Sequence, residues 1–131
     1  MGQGMSFSLS KRSLSKLEGV HPDLVKVVKR AIALTEIDFS VTEGLRSVTR
    51  QKELVALGAS QTMRSRHLTG HAVDVVALVD GKVNWDFPHY EKIADAMLKA
   101  GAELNVPIVW GGLFKTLKDG VHFELHRGKY P

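Results

Sequence analysis

The chain has 131 residues, of which 44% are hydrophobic and 24% are charged, a composition typical of one ordinary globular domain. It contains no cysteine, which excludes disulfide bonds and thiolate metal sites, so any zinc must be held by histidine and carboxylate groups. No apolar run approaches the ~20 residues of a membrane span, and the N-terminus lacks the basic flank and apolar core of a signal peptide.

The net charge of +4 and the pI near 9.5 favour an anionic partner or surroundings, such as nucleic acid, anionic lipid or an acidic cell wall. Because the basic residues are scattered along the chain, an ordinary solvated surface explains them equally well. A nucleic-acid partner is not expected, since the chain has neither a recognised binding motif nor a basic cluster.

The first predicted elements are helical. Residues 1–4 precede a second methionine, Met5, and are expected to be a vector remnant, which leaves 5–131 as a single domain. After a polar lead-in, His21-Pro22-Asp23 predicts a helix start, because proline favours the first helical position and an acidic residue suits the first turn. Apolar residues at helical spacing continue this helix to Leu34. We expect His21 to hydrogen-bond locally rather than to bind a metal.

The remaining pattern alternates strands and helices. Residues 38–43 predict a short strand, 48–57 a helix, and the apolar, β-branched run 72–79 a buried strand. Asp80-Gly81 is a strong signal for a two-residue hairpin. The later predicted elements are a return strand over 82–85, a helix over 88–104 with a buried stripe of Ile93, Ala94, Met97 and Leu98, and strands over 106–110 and 121–126. This order indicates an α+β fold, with helices packed on a small, mostly antiparallel sheet.

The chemistry is concentrated around the strand at 72–79. Asp74 lies inside that apolar run, where an ionised carboxylate is costly unless it is paired, hydrogen-bonded or bound to a metal. Seven residues earlier, His67 lies in a short polar segment closed by Thr69-Gly70, where glycine allows a sharp turn into the strand. An imidazole and a carboxylate brought together in this way supply two of the three protein ligands of a catalytic zinc site.

The last predicted strand offers the third ligand. Its residues alternate, with Val121, Phe123 and Leu125 on the core face and His122, Glu124 and His126 on the other. If that second face lies beside Asp74, His122 completes a His-Asp-His set on the sheet, with the fourth tetrahedral position open to water. His71 is not expected to bind the metal, because Gly70 and the β-branched run after it oppose a helix that would align it with His67.

Four ordered motifs carry a resemblance to a known family. They are Gly44-x-Arg46, Ser65-x-His67-x-x-Gly70-x-Ala72-x-Asp74, Trp110-Gly111-Gly112 and Asp119-x-x-His122-x-Glu124. From about Met5 to its end, the chain resembles the zinc D-alanyl-D-alanine peptidase family, with greatest similarity to the L-alanyl-D-glutamate peptidase type of tailed-phage endolysin.

The resemblance implies a role for each matching residue. His67, Asp74 and His122 match the ligands of one zinc ion (Zn2+) per chain. Asp119 matches the general base and acid, and Arg46 the arginine that stabilises the developing oxyanion. Ser65 matches a serine that contacts substrate or supports the site.

Other interpretations remain open for single residues. Asp74 could form a buried ion pair with Arg46, and Asp119-Gly120 could be a simple turn before the last strand. Glu124 could either orient His122 or face solvent.

The implied function is hydrolysis of an amide bond in the peptidoglycan stem peptide, most simply the L-alanyl-D-glutamate bond, by a zinc metallopeptidase acting in phage lysis of the host cell. The expected protein is a monomer made in the host cytoplasm and released through a separate pore to an anionic cell wall. One alternative is a D-alanyl-D-alanine carboxypeptidase or dipeptidase, and another is a zinc-bearing wall-binding module without catalysis.

Overall fold

The computed structural model of the protein describes residues 6–60, 63–113 and 119–131. The expected vector remnant at 1–4 lies outside these ranges. So do most of residues 114–120, which the sequence predicts to form a loop before the last strand. The helices are α1 (Lys11–Lys16), α2 (Pro22–Leu34), α3 (Val48–Ala56) and α4 (Phe87–Leu104), with single 3-10 turns at Arg66–Thr69 and Gly111–Leu113. The strands are β1 (Asp38–Glu43), β2 (Ala72–Val79), β3 (Lys82–Asn84), β4 (Ile108–Trp110) and β5 (His122–Leu125).

The strands form one sheet in the order β1-β2-β5-β4, and all of its described pairs are antiparallel. β3 pairs with the second half of β2 through the predicted hairpin, in which Val79 lies opposite Lys82. The α+β class with a small antiparallel sheet is therefore confirmed. The register places Asp74 opposite both Glu43 of β1 and His122 of β5.

The helices cover the sheet as the apolar pattern predicts. α2 packs against α4, and α4 packs against β2 and β4, around a core that includes Leu24, Phe39 and Phe123. The predicted burial of Leu98 is wrong, because this side chain is 39% exposed. Within the described ranges, no helix has both the length and the hydropathy required to cross a membrane.

The buried stripe of α4 consists of Tyr90, Ile93, Ala94, Ala96, Met97, Ala100 and Gly101. Because successive residues of a helix are about 100° apart, Leu98 lies at the flank of this stripe, beyond Met97 and Ala94.

Candidate metal centre

Local turns bring the first predicted ligand back onto β2. Ser65 caps the 3-10 turn at Arg66–Thr69, since its Oγ accepts a hydrogen bond from the His67 backbone N–H at 3.2 Å. Gly70 ends the turn with φ of 75°, a conformation that favours glycine. The expectation that this segment is not helical is thus wrong for one turn. The expectation that His71 does not bind the metal is unaffected. The turn directs the ring of His67, and not that of His71, toward Asp74.

The three predicted ligands converge on one point. Oδ1 of Asp74 lies 3.1 Å from Nε2 of His67 and 3.2 Å from Nδ1 of His122. These three atoms lie within 4.8 Å of one another, in a group able to hold a metal ion. His71 lies apart from them, with Nδ1 2.6 Å from Oγ1 of Thr69.

The outer contacts of the two histidines decide which nitrogen faces the centre. Nδ1 of His67 lies 2.9 Å from the Gly44 carbonyl oxygen, and Nε2 of His122 lies 2.9 Å from Oε1 of Glu124. A carbonyl and a carboxylate only accept hydrogen bonds, so both of these nitrogens donate. In the neutral rings, the opposite nitrogens therefore carry lone pairs aimed at the Asp74 carboxylate. Three electron-rich atoms so close together fit a cation, and the nitrogen and oxygen donors suit zinc.

The charges of the centre shift its pKa values. Burial opposes ionisation of Asp74, but hydrogen bonds to His122 and His67 outweigh it and hold the pKa of this carboxyl well below its usual range. Burial also opposes the charged form of His122. Hydrogen bonds to Asp74 and Glu124 outweigh that cost and raise the pKa of His122 to about 9. A cation that binds at this centre therefore competes with the proton that the raised pKa of His122 favours.

Glu124 does not face solvent. It is 8% exposed, and besides His122 its carboxylate has two cationic neighbours. Nε of Arg66 lies 3.8 Å from its Oε2, and Nε of Arg127 lies 3.5 Å from the same atom. Arg66 is held in turn, because its Nη2 donates to the Tyr130 carbonyl oxygen at 2.6 Å. These contacts fix the carboxylate that orients the His122 ring.

Asp119 is held beside the centre by backbone contacts with the glycine motif. Its N–H donates to the Gly111 carbonyl oxygen at 2.9 Å, and its own carbonyl oxygen accepts from the His122 N–H at 3.1 Å. Nε1 of Trp110 donates to the Gly120 carbonyl oxygen at 2.8 Å. The Asp119-Gly120 turn is therefore attached both to β5, at His122, and to the buried Trp110.

The Asp119 carboxylate faces the same cleft as the metal group. Burial and the negative charge of Asp74 raise its pKa, against the opposing effects of His122, His67 and Arg46. A carboxylate with a raised pKa beside a metal group is a common property of catalytic sites.

Arg46 forms a second wall of the cleft. Its guanidinium pairs with Glu43 and donates from Nη1 to Oε1 of Gln51 at 2.7 Å and to Oγ of Ser65 at 3.4 Å. The alternative in which Arg46 forms an ion pair with Asp74 is therefore wrong, since its carboxylate partner is Glu43. Among the residues that the structure describes, the buried Nε of Arg46 has no hydrogen-bond partner.

Sequence reasoning missed Gln51. This residue is fully buried and accepts a hydrogen bond from Arg46. In the sequence it is one polar residue in the weakly amphipathic segment 48–57, and this pattern alone does not indicate burial. His21 was interpreted correctly, since its Nδ1 accepts from the Asp23 N–H at 3.0 Å at the start of α2.

All of these groups surround a cleft of about 390 Å³. Its charged lining comprises Glu43, Arg46, Arg50, Arg64, Arg66, Asp74, Asp119, Glu124 and Arg127. The cleft combines a candidate metal group, an adjacent carboxylate and a fixed arginine, the parts needed for metal-assisted hydrolysis of an amide.

Comparisons with known proteins agree with this arrangement. The family model described as "Phage L-alanyl-D-glutamate peptidase" matches residues 5–130. The L-alanyl-D-glutamate peptidase of Escherichia phage T5 is 34% identical over 130 residues, which cover 96% of this chain and 94% of that protein. The protein of the same name from Listeria phage A118 is 28% identical over 91% of this chain, but the match spans only 42% of its own length.

A solved structure has the same architecture. The crystal structure of the Serratia marcescens L-Ala D-Glu endopeptidase ChiX superposes with a TM-score of 0.91 and 52% sequence identity. The match covers 96% of this chain and 95% of that one.

We predict that zinc binding at pH 7 releases at least about one proton per chain, because a ligand histidine must be neutral and the pKa of His122 is about 9 in the metal-free protein. Zinc affinity should therefore rise with pH up to about 9. Titration calorimetry at pH 7 in buffers of different ionisation enthalpy measures the released proton. A binding heat that is the same in every buffer would contradict the assignment of His122.

We also predict that Gly111→Ala displaces both Asp119 and His122. A Cβ at Gly111 would overlap the Asp119 carbonyl oxygen and lie 3.1 Å from Cβ of each of these residues. Overpacking of this kind lowers the free energy of unfolding by about 1–3 kcal/mol, and zinc affinity should fall with it.

The matched control is Gly120→Ala, whose Cβ would meet only ordinary contacts, the nearest being Phe87 Cε1 at 3.4 Å. Denaturant unfolding and zinc titration of both variants test the difference. Equal behaviour of the two variants would show that Gly111 does not constrain the centre.

Proposed function

The chain belongs to the phage L-alanyl-D-glutamate peptidase family, and on this premise we propose that it is a zinc-dependent peptidoglycan endopeptidase that cleaves the L-alanyl-D-glutamate bond of the stem peptide. The observation that carries the proposal is the convergence of His67, Asp74 and His122 beside Asp119 and Arg46 in one cleft. A pure binding module needs the metal group but not the adjacent carboxylate and arginine.

In this proposal His67, Asp74 and His122 hold one zinc ion. Zinc in a three-ligand site polarises a carbonyl and lowers the pKa of a water molecule to ~7. Asp119 takes a proton from the attacking water and returns it to the departing amine. The raised pKa of Asp119 supports this role, because a group that both accepts and donates a proton works best when its pKa lies near the working pH.

Arg46 is proposed to stabilise the negative charge that develops on the substrate carbonyl oxygen. Glu43 and Gln51 hold its guanidinium in place, so that no reorganisation is needed when the charge forms. Ser65 supports this arrangement from two sides, since its Oγ contacts both Arg46 and the backbone of the ligand His67.

Two biological settings are compatible with the same chemistry. Similarity to the phage T5 peptidase supports a lysis enzyme that reaches the cell wall of the host through a separate pore. The higher identity to the Serratia marcescens endopeptidase, 52% against 34%, favours a second candidate, a bacterial enzyme that cuts peptidoglycan without a phage.

Mass spectrometry of purified peptidoglycan stem peptides, digested with and without a zinc chelator, tests the reaction. A new N-terminal D-glutamate that disappears with the chelator is the expected result. Loss of terminal D-alanine alone would instead identify a carboxypeptidase, and bound zinc without any cleavage would identify a binding module.

We predict that Asp119→Ala lowers turnover by about 10²–10⁴-fold, the usual contribution of a general acid–base group. Zinc should stay at one ion per chain, because Asp119 is not among the three converging groups. The matched control is Asp95→Ala, which removes an exposed carboxylate on α4 and should leave turnover unchanged. Undiminished turnover in Asp119→Ala would require another base.

A further inference from the structure

The charge balance of the cleft points to an additional binding group. Within the ranges that the structure describes, four carboxylates and five arginines line it. The divalent ion of the proposed function, together with the partly buried Arg46 and Arg66, balances these four carboxylates. The charge of Arg127 comes in addition to that balance, so this part of the cleft offers positive charge to an anion.

Arg127 is an exposed arginine at the rim of the cleft that shares its carboxylate partner with other groups. Its described carboxylate partner is Glu124, at 3.5 Å from Nε, and that carboxylate already contacts His122 and Arg66. The Arg127 side chain is 67% exposed, and the residue is part of the cleft lining. Arg50, in contrast, is paired at 3.1 Å with Glu53, which is not part of the cleft lining.

The substrate of the proposed function supplies a matching anion. A D-glutamyl residue has two carboxyl groups, and only one of them can continue the peptide. The other is ionised at neutral pH, since its ordinary pKa is about 4.3. It therefore carries a negative charge only a few bonds from the nitrogen of the scissile amide.

Arg127 lies on the same wall of the cleft as a metal ligand, because Glu124 bridges Arg127 and His122. We propose that Arg127 binds the free carboxylate of the D-glutamyl residue, and that the enzyme consequently prefers the free acid to its amide. This inference rests on the proposed function. It adds a specificity-determining residue that acts on substrate rather than on the metal.

Two synthetic peptides that differ only in this carboxyl group, as acid or carboxamide, test the inference. The wild type should cleave the acid with a kcat/KM about tenfold higher or more, the range of one charge-assisted hydrogen bond. Arg127→Ala should lose this preference, because cleavage of the acid should slow more than any slowing that both peptides share through the contact of Arg127 with Glu124. Arg127→Lys should keep part of it, because it retains the charge but not the forked geometry.

Arg30→Ala is the matched control, because it removes one exposed positive charge, as Arg127→Ala does, but outside the cleft. Arg30 is also exposed, at 45%, and pairs with Glu103 outside the cleft. This variant should keep the full preference for the acid. Binding gives a second readout without turnover: in the Asp119→Ala background, calorimetry should show tighter binding of the acid, and Arg127→Ala should abolish the difference.

Several results would overturn the inference. These are equal cleavage of acid and amide by the wild type, loss of the preference in Arg50→Ala but not in Arg127→Ala, or equal slowing of both peptides with loss of zinc in Arg127→Ala. The last result would mean that Arg127 acts only through Glu124. Failure of the wild type to cleave either peptide would instead refute the proposed function itself.

Discussion

The site depends on one partly buried carboxylate inside a strand, that of Asp74. Asp74 interrupts the apolar run of β2 and is tolerated there because two histidine nitrogens face it at 3.1 and 3.2 Å. Removing either histidine would leave part of that charge without compensation. The sheet register, the turn before β2 and the final strand all serve to keep these three groups together.

A second layer of contacts makes this arrangement rigid. The Gly44 carbonyl fixes one imidazole, and Glu124 fixes the other. The partners come from different parts of the chain, since Gly44 follows β1 whereas Glu124 belongs to β5. Such outer partners set the orientation and the basicity of metal ligands, so the centre is a property of the whole sheet rather than of three residues.

The sequence predicts the elements and the converging residues better than it predicts their support. His122 could be placed beside Asp74 because strand residues alternate between two faces, and that rule needs no tertiary information. Gln51, and the pairing of Arg46 with Glu43, could not be predicted, because they depend on the conformation of the segment that joins β1 to α3. The predicted burial of Leu98 is wrong for a similar reason. The apolar residues of a helix can form more than one stripe, and tertiary packing decides which stripe is buried.

The strand order has a consequence for how the protein becomes active. β5 is the last described strand in the sequence, yet it lies inside the sheet between β2 and β4. Its pairing joins residues 74 and 122, so the chain must close a long loop before the ligands meet. A growing chain that has not yet added β5 has two of the three converging groups and an unfilled place in its sheet. The complete candidate metal group therefore forms late in synthesis, together with the completed core.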